Sequence, residues 1–202
     1  MNTTQKHFKN MLKSYRLEED ETKRKFIDAD IWKTYGVTKA VMITDMSGFS
    51  YTTEHYGSVH FLSMIQRMQN ISKKVVSQFN GTIVKFEADN CFIVFDTALD
   101  AIESAIELNK AFKEENATKH NAFDINISCG IAYGEILLLD NEDMYGKSVI
   151  LASKLGEDMS SAGEIFTTQE VMNNLPLSID LKTTTLKKKI SKIDINYYSI
   201  HY

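Results

Sequence analysis

Cysteine is scarce in this 202-residue chain: only Cys91 and Cys129 are present, each inside an apolar stretch, CFIVF and INISCGI. Small buried thiols are common in such settings, so both read as core residues in a reducing compartment, not as a disulfide or a catalytic nucleophile. Long apolar runs are also missing. No stretch approaches the roughly 20 residues of a membrane span, and MNTTQKHFKNMLKSYRLEEDETKRK has no apolar centre of the kind a signal peptide needs. A soluble, cytoplasmic protein is the expectation. Nor is positive charge in excess, since 23 Lys and Arg stand against 27 Asp and Glu, for a net charge of -4. Chain-wide attraction to polyanions is therefore absent, and no nucleic-acid partner is expected. The lysine run Lys187 to Lys189 has no interleaved aromatics and reads as a solvated β-turn.

Common catalytic motifs are absent as well. There is no G-x-x-x-x-G-K-[ST] loop, no G-x-G-x-x-G turn and no G-x-S-x-G elbow, which removes the usual NTPase, dinucleotide and hydrolase readings. A phosphatase of the double-aspartate type built on Asp45 needs a second Asp at position 47, which is Ser47. His7, His55, His60, His120 and His201 lack the i,i+4 pairing or cysteine partners of a transition-metal site, and none is assigned a catalytic role.

What is present is an ordinary globular balance, 43% hydrophobic and 25% charged residues, which points to one domain plus extensions. Residues 1–36 are charge-rich with scattered apolar positions (Phe8, Met11, Leu12, Tyr15, Leu17). They predict a helical extension that either packs on the domain or a second copy, or stands as a solvated arm. AVMIT, ending at Asp45, reads as a buried strand. Phe61, Leu62, Ile65, Met68, Ile71, Val75 and Val76 recur at three- and four-residue steps, predicting a helix from about Gly57 to Phe79. TIVKFE and CFIVF flank Ala88, Asp89 and Asn90 as a tight hairpin with Asp89 at its tip. A second helix over about 98–115 precedes FDINISCGIAYGEILLL, one long strand or two with a bend at Gly130 or Gly134. The order βαββαβ is the ferredoxin-like, mixed α/β arrangement, with the first and third strands side by side. Beyond it, a short helix from Lys147 to about Leu155, a strand at GEIFTT and an edge strand at YYSIHY complete a domain over 37–202.

In that topology Asp45 and Asp89 converge at one sheet edge. Two neighbouring carboxylates repel, and one stays protonated unless a cation neutralises them. Oxygen ligands beside a glycine-containing turn suit Mg²⁺ or Mn²⁺ carrying a triphosphate, with backbone N–H groups of Met46, Ser47, Gly48 and Phe49 around phosphate oxygens. By residue type alone, an Asp after a strand is more often a helix or turn cap.

Several segments resemble the catalytic domain of class III adenylate and guanylate cyclases, in order. ITDMSGF looks like that family's first metal-aspartate segment, and VKFEADNCFIVF like its second-metal hairpin, with Ala88 where a glycine is usual. ISCGIAYGEI, DMYGKSVILASKL and SSAGEIFTT correspond to its next strand, its purine-and-ribose segment and its late strand. The match spans roughly residues 38 to 170, and IWKTYG, DMSGFS, EADN and ASKLGED look like a soluble bacterial and protist-type subgroup. The resemblance implies that Asp45 and Asp89, with Met46 at the same turn, hold two Mg²⁺ or Mn²⁺ ions, and that the chain converts ATP to 3′,5′-cyclic AMP and pyrophosphate at a dimer interface. It further implies that Lys85 and Asp143 read the purine of the nucleoside triphosphate, although a surface lysine at a strand end is the plainer reading of Lys85. In the family an Asn orients the ribose and, four residues on, an Arg meets the transition-state phosphate. Here those places hold Ile150 and Lys154. Lys154 keeps a positive charge without the bidentate fork, and Ile150 offers no hydrogen bond. Two organisations therefore stand side by side: a homodimeric cyclase, or a catalytically weak or inactive cyclase-homology domain that binds nucleotide or completes a site with a complementary cyclase chain.

Overall fold

The computed structural model of the protein describes residues 2–118, 121–190 and 193–202. His120 lies outside them. Four consecutive residues without solvent exposure, Ala40 to Ile43, mark the middle of β1 (Gly36–Met46). Side chains alternate across a strand, so a run buried on both sides needs a cover on each face. Ala40, Met42 and Met46 join the larger core, with Phe61, Met64 and Met68 of α4 (Ser58–Gln78) and Ala101, Ile102 and Leu108 of α5 (Ala98–Asn116). Val41 and Ile43 join a smaller core with Val84, Val94, Ala132 and Ala152. Asp45 shares their parity and leaves the sheet on this second face.

The first four strands are β1, β2 (Thr82–Glu87), β3 (Asn90–Phe95) and β4 (Ile127–Leu139). They lie in the order β2-β3-β1-β4, with β1 antiparallel to both neighbours. This is the ferredoxin-like βαββαβ arrangement expected from the sequence, with α4 and α5 as its crossovers. Beyond β4 come the parallel β6 (Ile165–Thr168), then β8 (Ile193–Ile200) and β7 (Thr183–Ile190), while β5 (Asp143–Tyr145) pairs with β4 off the main path.

FDINISCGIAYGEILLL holds one long strand of 13 residues, the first of the two forms expected for it. Two expectations change. The strand ending in YYSI is not an edge strand, because β7 lies outside it. Lys187 to Lys189 run within β7 instead of forming a turn. In β7 the β-branched residues Thr183 to Thr185 favour extension, and lysines on an outermost strand discourage further strands from adding to it. Short elements without a repeating apolar pattern went unread: α3 (Phe49–Tyr56), β5 and α7 (Gln169–Asn173).

The N-terminal residues form α1 (Thr3–Leu17) and α2 (Glu21–Tyr35). Asn2 Oδ1 accepts from the Gln5 N–H at 2.8 Å, and Asp20 Oδ1 from the Lys23 N–H at 3.0 Å, as N-caps do. Phe8, Ile31 and Tyr35 bury against Leu139 of β4, so the extension packs on the sheet.

On the face that carries Asp45, α6 (Lys147–Ser153) continues into a π-helical turn, Lys154–Met159. This segment sits directly on backbone. A Cβ on Gly156 would lie 2.6 Å from the Ile43 carbonyl oxygen and 2.9 Å from the Gly130 nitrogen, and one on Gly130 would lie 2.1 Å from the Ala152 carbonyl oxygen. Ser128 Oγ donates to the Gly156 carbonyl at 2.8 Å. Two facing glycines thus let the turn settle onto β1 and β4. Gly156→Ala is expected to lower stability by about 1–3 kcal/mol through backbone overpacking, measured as the urea midpoint of unfolding. An unchanged midpoint would contradict the contact.

Candidate active site

The β1–β3 register sets Thr44 opposite Cys91, so Asp45, one residue further on, faces the β2–β3 turn that carries Ala88 and Asp89. Ala88 adopts a left-handed conformation (φ 51) that costs a non-glycine residue about 1–2 kcal/mol. It stands where the resemblance places a glycine. Burial pushes the Asp45 carboxyl up to about 6, and the charges of Asp89 and Glu157 add to that rise. Asp89 is raised by burial, against the opposing effect of its own backbone N–H. Glu157 is raised too, chiefly by burial. A hydrogen bond from Ser153 Oγ at 2.9 Å works against that shift, while Asp158, Asp89 and Glu87 repel it further.

The sequence reading brought Asp45 and Asp89 together but missed Glu157 as a third charge. One signal was available: Glu157 and Asp158 sit at the end of a helical segment, where the backbone dipole disfavours carboxylates. Among the described residues, no group of three or more His, Cys, Asp or Glu is arranged to hold a metal ion by itself. A hard cation held by Asp45 and Asp89 would need backbone and ligand oxygens to complete its shell. The donors fit Mg²⁺ or Mn²⁺ in type, being oxygen only, and in charge, since partly buried like charges are relieved by a cation.

The turn after β1 is narrower than the expected cradle. The Ser47 N–H donates to the Asn126 carbonyl at 2.8 Å, and Met46 is buried at the strand end. Gly48 takes a left-handed conformation (φ 84) that lets the chain turn into α3. Gly48 and Phe49 stand at the head of that helix, where the first N–H groups have no intrahelical acceptor.

Lys85 and Asp143 meet. Lys85 Nζ lies 3.1 Å from Asp143 Oδ1 and 3.0 Å from Glu87 Oε2, and 4.9 Å from the centre of the Phe92 ring. Burial pulls the Lys85 ammonium down, but hydrogen bonds to Glu87 and Asp143 outweigh it and hold it above its ordinary value. Burial pushes Asp143 up, and hydrogen bonds from Tyr145 and Lys85 more than offset this, leaving it below the usual carboxylate range. The pair is thus charged on both sides, a fixed donor beside a fixed acceptor.

No protein-family model matches the chain. Among solved structures, the adenylate/guanylate cyclase/hydrolase from Silicibacter pomeroyi is similar at 26% identity with a TM-score of 0.67, covering 82% of this chain and 96% of that one. The guanylyl cyclase Cya2 is similar at 18% identity with a TM-score of 0.70, covering 82% and 92%. The fold is that of a class III nucleotidyl cyclase catalytic domain. A curated relative, "Putative adenylate cyclase 3" of Rhizobium meliloti (strain 1021), is 23% identical over 116 residues, 57% of this chain. The chain spans 20% of that relative's length. Among the described residues, no helix of the cyclase-fold domain is long and apolar enough to cross a membrane.

Within this cyclase fold, the two departures lie on the same segment. Ile150 on α6 is 58% exposed. Lys154 opens the π-helical turn and pairs with Asp158 at 3.7 Å, one turn along its own helix. Neither meets the Asp45–Asp89 cluster by a contact described within the single chain.

The raised Asp45 carboxyl has a consequence for stability. The native state binds its proton more tightly than the unfolded chain, whose ordinary value is 3.8, so ionisation weakens the fold as pH rises from there to about 6. In metal-free protein at pH 7.5, Asp45→Asn is expected to raise the thermal midpoint by on the order of 2–4 °C, with no gain at pH 4. Mn²⁺ should raise the wild-type midpoint and move the variant much less. A variant less stable than wild type at pH 7.5 would contradict the charge cluster.

Proposed function

We propose that this chain is a nucleotidyl cyclase that converts ATP to 3′,5′-cyclic AMP and pyrophosphate, with Mg²⁺ or Mn²⁺, at an interface between two chains. The reading rests above all on Asp45 and Asp89 crowding at the head of a cyclase-fold sheet, with Asp45 raised to about 6 by burial and by its neighbours' charge. Such an arrangement stores repulsion that a metal–triphosphate complex releases. When bound, divalent metal supplies Lewis-acid stabilisation of the charge that builds on the triphosphate and lowers the pKa of the ribose 3′-hydroxyl.

In the cyclisation the 3′-oxygen bonds to the α-phosphorus, the bond from that phosphorus to the β-phosphate bridge breaks, pyrophosphate leaves, and the 3′-hydroxyl proton is lost. Asp45, Asp89 and the Met46 carbonyl would hold the metal. The Gly48 and Phe49 N–H groups would meet phosphate oxygens at the head of α3. Lys85 would donate to adenine N1, and Asp143 would accept from the 6-amino group. Lys154 of the facing chain would supply positive charge near the phosphates, more weakly than a bidentate arginine.

A second reading is favoured by Ile150: a homodimer would lack a ribose-orienting donor in both sites, leaving a domain that binds nucleotide or completes a site with a complementary cyclase chain. Cyclic-nucleotide production by purified protein with Mn²⁺ and ATP or GTP separates the two. Product is expected with ATP, lost in Asp45→Ala, and raised by about 10²-fold in Ile150→Asn if one preorganised donor is what the site lacks. Metal-dependent ATP binding without product, at concentrations that allow dimers, would overturn catalysis and support the binding role.

A further inference from the structure

The first N-terminal helix reaches the candidate purine pocket. The Phe8 ring of α1 stacks on Tyr145 of β5, with centroids 5.8 Å apart and planes inclined by 15°, and its edge is held by Tyr35 at 5.2 Å. Asn2, the cap of α1, donates to Glu142 at 2.8 Å, just before β5. β5 is only three residues long and, among the described residues, pairs with β4 alone, so the contacts from α1 add a support to those from β2 and α6.

Tyr145 in turn holds Asp143. Its hydroxyl donates to Asp143 Oδ2, while Oδ1 receives Lys85 Nζ at 3.1 Å and the Met144 N–H at 3.0 Å. A carboxylate offers about four acceptor positions. Three are therefore filled, two on Oδ1 and one on Oδ2, so a single acceptor position is left, on Oδ2. Adenine asks this pair for one donor at N1 and one acceptor for its 6-amino group. Guanine presents two adjacent N–H donors, which need two acceptor positions.

We infer that Tyr145, braced by Phe8 of the N-terminal helix, is a positioning residue for purine selection: it fills one of the two acceptor positions on Asp143 Oδ2 and, by leaving a single one, keeps the Lys85–Asp143 pair shaped for adenine over guanine. This rests on the reading that the pair faces the base. The N-terminal helices thereby become part of nucleotide selection, since undocking α1 removes the brace on Tyr145.

The test uses the full chain with Mn²⁺ and fluorescent ribose-labelled ATP and GTP. Tyr145→Phe keeps the ring stack and loses only the hydroxyl, and Phe8→Ala keeps the hydroxyl and loses the stack. The ratio of ATP to GTP affinity is expected to fall about fivefold in Tyr145→Phe, as for loss of a hydrogen bond to a charged group, and by less in Phe8→Ala. A structural role alone would weaken both nucleotides equally, and that result, or an unchanged ratio in Tyr145→Phe, would overturn the inference. A carbon-13 titration of the Asp143 carboxyl reads the same relay without nucleotide and should move to higher pH in both variants. If wild type binds neither nucleotide, the purine reading fails by itself, and an unmoved Asp143 titration overturns the relay separately.

Discussion

Everything at the candidate site depends on β1 lying between β3 and β4. The β1–β4 ladder pairs every residue of β1 from Gly36 to Met46, and the β1–β3 ladder locks its central half. One end of this strand delivers Asp45 to the β2–β3 turn. The other, through Leu137 and Leu139 of β4, delivers the surface on which α1 and α2 bury Phe8, Ile31 and Tyr35. A slip of one residue would turn Asp45 towards the α4–α5 core and Met42 towards the smaller core under α6. The apolar alternation that stabilises the sheet is therefore also what aims the carboxylate.

The site shows two kinds of electrostatics. At the Asp45 end, partly buried like charges face one another and raise each other's affinity for protons, an arrangement that weakens the empty fold. At the Lys85 end, opposite charges are paired and hydrogen-bonded, so each stays ionised. Under the proposed function, the first end would take a cation with its phosphates and the second a neutral ring with a donor and an acceptor. Ile150, exposed on α6, offers the surface neither charge nor a hydrogen bond.

Much of this could be read from the residues. The four core strands, both long helices and the meeting of Asp45 with Asp89 follow from strong apolar periodicity and a hairpin two residues wide. Lys85 and Asp143 were paired only through family resemblance, because nothing local links a residue of β2 to one on a three-residue strand. The short elements α3, β5 and α7 carried no repeating apolar pattern to detect. The order of the last two strands escaped because residue type can mark a strand but not its neighbours, and tertiary pairing decides which strand lies outermost. Glu157 and Tyr145 were hidden for a different reason. Their roles arise from a π-helical turn seated on two glycines and from a ring stack with α1, neither of which a linear spacing records.

The central claim is that Asp45 and Asp89 receive a metal–triphosphate while Lys85 and Asp143 receive its purine. A crystal structure of the protein with Mn²⁺ and a non-cyclising ATP analogue tests it most directly, because anomalous scattering locates the manganese independently of any chemistry. The account predicts manganese between the Asp45 and Asp89 carboxylates, phosphates at the head of α3 and the adenine against Lys85 and Asp143. Manganese or nucleotide bound elsewhere, with those four side chains unliganded, would contradict it.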